Sequence, residues 1–138
     1  MSLIPWQDSY SIGINEIDEQ HKKMLGIINH LTDLFDNKQN RNEAEIEQTI
    51  KDLTDYAIYH FQAEEKYFAI FHYDRAEEHI KVHDQYRAKI EEWRKRYDKN
   101  KDPKVFFEIS EFLQSWWTWH INNTDRAYAP LFKENGVN

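Results

Sequence analysis

Five histidines and two carboxylates stand along this 138-residue chain at spacings that suit a metal centre. His60 and Glu64 are four positions apart, as are His79 and His83, and that spacing stacks two side chains on one face of a helix. His21 and His120 each take an apolar residue's place in an otherwise apolar stripe, and Asp125 comes five residues after His120. Burying a carboxylate such as Glu64 is costly unless a cation or a metal neutralises it, and no Lys or Arg falls on its stripe. A buried metal centre is the chemistry these residue types can perform together.

The elements that position them follow from the apolar period. An extended arm, residues 1–14, carries Pro5 and Gly13 and is expected to be anchored by Trp6. A first helix over about 16–36 has the stripe Ile17, His21, Met24, Ile28, Leu31 and Phe35. Asn42 is a candidate cap for a second helix over about 43–71, with Ile46, Ile50, Leu53, Ala57, His60 and Glu64 in register. A third helix over about 75–98 aligns His79, His83, Tyr86, Ile90, Trp93 and Tyr97. Asp102 and Pro103 open a fourth over about 103–126, with Phe106, Ile109, Leu113, Trp116 and His120 facing inward and Pro130 ending it. The expected fold is all-α: one domain over residues 1–138, an antiparallel up-down-up-down four-helix bundle with an N-terminal extended arm.

Short connections make neighbouring helices antiparallel. The start of the first helix, the end of the second, the start of the third and the end of the fourth then share one end of the bundle. Those are the places of His21, His60, Glu64, His79, His83, His120 and Asp125. Asp125 needs a distortion, because five steps on an α-helix overshoot a full turn by about 140°. Seven ligands are too many for one ion. With bridging carboxylates and one bridging oxide or hydroxide, they fill all but one position of two six-coordinate ions. Mixed imidazole and carboxylate donors suit iron, zinc, copper or nickel.

Composition narrows the setting. A formal net charge of −7 argues against nucleic acid or an anionic membrane as partner. The absence of cysteine excludes disulfides and thiolate sites. No apolar run approaches the roughly 20 residues of a membrane span, and no signal sequence opens the chain, so a cytoplasmic protein is expected.

Ile17-Asp18-Glu19-Gln20-His21, His60-Phe61-Gln62-Ala63-Glu64-Glu65, His79-Ile80-Lys81-Val82-His83 and Trp116-Trp117-Thr118-Trp119-His120-Ile121 with Asp125 resemble, in order, the motifs of the hemerythrin family in its single-domain bacterial form. The resemblance implies two non-haem iron ions with a bridging oxide or hydroxide, binding O2 reversibly for storage, transport or delivery. It implies that His79, His83 and His120 hold the six-coordinate iron. His21 and His60 hold the iron with the open position, and Glu64 and Asp125 bridge. It further implies a ligand pocket of Met24, Phe61, Trp116, Trp117 and Ile121, with no catalytic residue. The family usually has leucine three residues before the last histidine, where Trp117 stands here.

Two other classes compete: a di-iron oxidoreductase (a peroxidase, or an enzyme reducing NO or O2) and an O2 or redox sensor acting through an unidentified partner. Against a ferritin-like oxidase, the chain lacks paired Glu-x-x-His motifs. His30, His72 and Glu65 read as solvated surface residues, Asp18 as a helix cap, and Tyr86, Trp93 and Tyr97 as core at the far end of the seam.

Overall fold

The computed structural model describes residues 4–37, 39, 42–100, 102 and 104–138, and no strand occurs among them. The main helices are α1 (Asn15–Asp36), α2 (Glu43–Phe71), α3 (Ala76–Asn100) and α4 (Lys104–Trp119). Each packs on its chain neighbours, and α4 closes against α1. This is the expected antiparallel four-helix bundle with an N-terminal arm. The stripe residues Ile17, Met24, Ile28 and Leu31 of α1, and Ile46, Leu53 and Ala57 of α2, are buried. No helix among the described residues is long and apolar enough to cross a membrane.

Local chemistry sets the helix ends. Asn42 caps α2 by accepting the Glu45 backbone N–H at 3.1 Å. The helix stops at His72, which takes a left-handed φ of 54° and donates its N–H to the Phe68 carbonyl. Before α4, Asp102 Oδ1 accepts the Lys104 N–H at 3.0 Å. Pro103, expected as the first helical residue, lies outside the described residues, as do Met1–Leu3 of the arm and Lys38, Asn40 and Arg41 of the linker.

The arm is held more firmly by Ile12 and Ile14, both buried, than by Trp6, which is only partly covered. Ile4 exchanges two hydrogen bonds with the Asn29 side chain, each 2.7 Å. Gly13, at φ 78°, turns the arm into α1. Asp18 accepts the Ile12 N–H at 2.9 Å and the Ser11 hydroxyl. It therefore clasps the arm instead of capping α1: it sits within the first turn, with its carboxylate toward the segment that precedes the helix.

The last part of the chain departs most from the expected course. After Trp119 the helix widens into a π-type turn, His120–Asp125, and then tightens over Arg126–Tyr128. Pro130 does not end a helix. It lies in the first turn of α5 (Ala129–Glu134), where its missing N–H leaves no bond unmade. Phe132 of α5 is fully buried and stacks on Tyr128 with ring centroids 4.2 Å apart. Two apolar clusters result. One fills the bundle around Leu53, Phe61 and Trp117; the other, with Ile14, Ile17, Phe68, Tyr128 and Phe132, closes the end under the arm. The polar centre lies between them.

Candidate metal centre

The first turns of α1 supply His21, and α2 supplies His60 and Glu64 within its last three turns. The start of α3 supplies His79 and His83, and the two ends of the widened turn supply His120 and Asp125. A π-type turn closes i to i+5, so residues five apart come onto one face. That widening carries Asp125 inward beside His120. Six of the seven are at most 1% exposed, and His79 is 3% exposed.

The donors form two groups that share Asp125. One donor atom from each of Glu64, His79, His83, His120 and Asp125 lies within 4.8 Å of all the others in that set, and the same holds for His21, His60 and Asp125. The Asp125 carboxylate divides between them. Oδ2 stands 2.7 Å from His21 Nε2 and 3.4 Å from His60 Nε2. Oδ1 stands 2.8 Å from His120 Nε2 and 3.1 Å from His79 Nε2. Glu64 Oε1 also reaches both groups, 3.1 Å from His60 Nε2 and 3.2 Å from His83 Nε2.

These contacts are close but poorly aligned. Nε2 of His60, His79, His83 and His120, both Glu64 oxygens and Asp125 Oδ1 are buried without a hydrogen bond of proper geometry. Buried polar atoms are normally paired, so a cluster this size is aimed at something other than itself. Imidazole nitrogens and carboxylate oxygens converging on one volume fit a pair of first-row transition-metal ions such as iron.

The cluster's own electrostatics agree. Burial opposes the charge on Glu64 and Asp125, yet the surrounding imidazoles hold both carboxyls well below their ordinary range. Burial also pulls His60 down, but the Glu64 and Asp125 carboxylates together outweigh it and lift the imidazole to about 10. The same balance lifts His79 to about 9. For His21 and His83 burial prevails, and both stay below the ordinary 6.5.

Outer partners aim the rings. His60 Nδ1 lies 2.7 Å from Gln20 Oε1, so it donates there and turns Nε2 inward. Glu65 does not face plain solvent: its Oε1 lies 3.4 Å from His83 Nδ1, and Arg87 approaches its other oxygen at 3.9 Å. Gln20 escapes a stripe-based search because it sits beside a candidate ligand position. The rule that ligating histidines engage a second partner is the signal that finds it. Tyr128 also faces the centre, fully buried, with its hydroxyl completing no hydrogen bond. His30 is exposed near Glu45 and His72 caps α2; neither approaches the centre.

The pocket residues Met24, Phe61, Trp117 and Ile121 are buried, and Trp116 is partly covered. Phe61 stacks on His83 at 3.8 Å, and Trp116 stacks on His120 at 4.3 Å. Trp117 points inward, 5.7 Å from the His60 ring and 5.9 Å from the His120 ring. Its Nε1–H donates to the Tyr86 hydroxyl at 3.1 Å. Tyr86 therefore belongs to the wall of the centre, one turn beyond His83, and not to the far end of the seam.

Residues 12–132 match the family model described as the hemerythrin HHE cation binding domain. A bacteriohemerythrin of Pseudomonas aeruginosa (strain LESB58) is 34% identical over 135 residues, covering 98% of this chain and 85% of the relative. A bacteriohemerythrin of Clostridium acetobutylicum is 33% identical over 128 residues, covering 91% of this chain and 98% of the relative. The solved structure of wild-type hemerythrin superposes with a TM-score of 0.79 at 22% identity, covering 94% of this chain and 98% of that one, a likeness of fold.

Proposed function

This chain belongs to the hemerythrin family, and on that premise we propose that it binds O2 reversibly at two non-haem iron ions, for storage or delivery in the cytoplasm and not for catalysis. The iron pair, with its bridging oxide or hydroxide, supplies the two electrons that O2 takes on binding and returns on release. His79, His83 and His120 would hold one iron. His21 and His60 would hold the other, while Glu64 and Asp125 would serve both. The observation that carries this reading is the Asp125 carboxylate, one oxygen turned to His21 and the other to His120.

The remaining steps belong to the chain. Neutral imidazoles and only two carboxylates keep the centre's net charge small, so it tolerates burial. Gln20 fixes the His60 ring with Nε2 inward. Met24, Phe61, Trp117 and Ile121 exclude water and offer no acid or base to protonate a bound ligand. A carrier needs that dry wall, and burial pushes the Tyr86 phenol within it well above its ordinary range, so it keeps its proton, whereas an oxidase needs a proton source.

The buried Trp117 favours a second reading, slow ligand exchange in a sensor acting through a partner. One experiment separates the classes. The protein is reduced without air, its iron is counted, and O2 is admitted while the visible spectrum is recorded. Two irons per chain and an absorption band that disappears under vacuum support the carrier. Sustained O2 consumption with reductant identifies an enzyme, and no iron uptake overturns the centre itself.

A further inference from the structure

Of the seven candidate ligands, His79 is the one that meets the surface. It is 3% exposed where the other six are at 0–1%, and it lines a cavity of about 320 Å³. That volume falls at the lower end of the range of small-molecule sites, which begins at about 300 Å³. The widened turn that carries Asp125 inward also forms the cavity rim, through Asn123 and Thr124. Two further lining residues are otherwise unexplained. Trp119 is 68% exposed, an indole face with nothing packed over most of it. Arg75 makes no salt bridge among the described residues, in a chain whose formal net charge is −7.

A guanidinium without a salt bridge and an open indole, lining one cavity, suit a flat molecule bearing an anionic group: the guanidinium takes phosphate or carboxylate, and the indole stacks on the ring. The position beside His79 adds a role. The other candidate ligands are at most 1% exposed, so a molecule in this cavity is separated from the centre by the His79 imidazole. We propose that the cavity beside His79 is the docking site of a small planar anionic electron donor, of the reduced flavin mononucleotide type, which returns the oxidised centre to its ferrous form. This rests on the di-iron reading of the centre. The reduced flavin anion gives up two electrons and one proton. Each of two ferric ions accepts one electron, the proton passes to water at the open mouth, and the flavin leaves oxidised. Glu78, at the same rim, opposes an anion and limits its affinity.

The test uses the full chain in two arms. In the first, oxidised flavin mononucleotide is titrated into protein without iron, and its fluorescence anisotropy is followed. Saturable one-to-one binding is expected. Arg75→Gln should weaken it by about tenfold, as loss of a charged phosphate contact does. Trp119→Ala should weaken it too, Glu78→Gln should tighten it, and riboflavin, which lacks the phosphate, should bind worse. Both Arg75 and Trp119 are exposed, so these variants keep the fold. In the second arm, reduced flavin mononucleotide is mixed with iron-loaded, oxidised protein. The reduction rate should saturate with flavin, and Arg75→Gln should raise the half-saturating flavin concentration by about tenfold while leaving reduction by dithionite unchanged. Absence of saturable binding, or equal binding by Arg75→Gln and Trp119→Ala, overturns the site. Binding without saturable reduction overturns the donor role. Since the first arm needs no iron, failure of the di-iron reading shows in the iron count alone.

Discussion

Trp117 donates its indole N–H to the Tyr86 hydroxyl across 3.1 Å, in a pocket where both rings are almost wholly buried. The bond fixes the indole between His60, Phe61 and His120, on the face where the open iron position is proposed. Trp117 is thus a packing element and, with the open position on that face, would cover it. Trp117→Leu should speed O2 association and autoxidation together, by about tenfold, equivalent to about 1.4 kcal/mol of barrier. Stopped-flow mixing of the reduced protein with O2 measures both. Tyr86→Phe leaves the indole N–H buried and unpaired, and should cost about 1–3 kcal/mol of stability in denaturant titration. Unchanged association in Trp117→Leu would show that ligands reach the centre by another face.

Protein stripped of metal should take up its ions with release of about two protons per chain from its imidazoles near pH 7, because metal-bound imidazoles are neutral, in addition to those lost by the water that supplies the bridging oxide or hydroxide. His60, lifted to about 10, and His79, lifted to about 9, are the donors that lose them. Loading in weak buffer with a pH indicator counts the protons. Metal affinity should therefore rise with pH across the neutral range.

The same groups set the pH dependence of the stripped fold, and the sign follows from proton binding. His60 and His79 hold their protons above the ordinary 6.5 when folded, so their stabilisation is full below 6.5 and is lost as pH rises through about 9 to 10. His21 and His83 are lowered, so below 6.5 the unfolded chain binds more protons and stability falls as the pH drops. Tm of stripped protein should peak near pH 6 to 7, on the order of the unperturbed histidine value. Loaded protein should show a flatter profile, since bound ions replace the protons. Identical profiles with and without metal would contradict the proposed ligand set.

Gln20→Leu removes the acceptor that orients His60, 2.7 Å away, without touching a ligand. Loss of such a partner commonly lowers metal affinity by about 10–100-fold. Competition against a chelator should show that loss, and Gln20→Glu should restore much of it, because a carboxylate accepts the same Nδ1–H. Equal loss in both variants would point to packing instead of orientation.

The bundle and six of its seven inward side chains were legible because apolar period and short connections leave one antiparallel arrangement, and those six sit on the stripes. What lay off the stripes was not legible in the same way. Asp125 needed the widened turn, and a period of 3.6 shows that such a turn is required without showing its shape. Gln20 and Glu65 are chain neighbours of candidate ligands, and only the ring orientations reveal which nitrogen they serve. Asp18 looks like a cap in sequence, but the arm passes near enough to claim its carboxylate. Pro130 reads as a stop because proline breaks a helix interior; here the chain had already left the helix, and proline opens the next one.

Tyr128 lies beyond the last stripe, and its position makes a separate prediction. The ring stacks on Phe132 and packs 5.7 Å from the His79 ring, fully buried. Burial, followed by the nearby Glu64 and Asp125 carboxylates, holds its phenol well above the ordinary 10, so it keeps its proton. Its hydroxyl completes no hydrogen bond with the protein. Left unpaired, such a group costs about 1–3 kcal/mol. Tyr128→Phe should therefore leave stripped protein as stable as before, or more so. When both Glu64 oxygens are engaged by metal, the carboxylate has a fixed position toward which the phenol can donate, and the variant should lose that bond. The expected outcome is a Tm that is unchanged or raised without metal and lowered with it. Thermal melts of the two forms of each protein decide the matter: an equal drop in both would mean that Tyr128 serves packing alone.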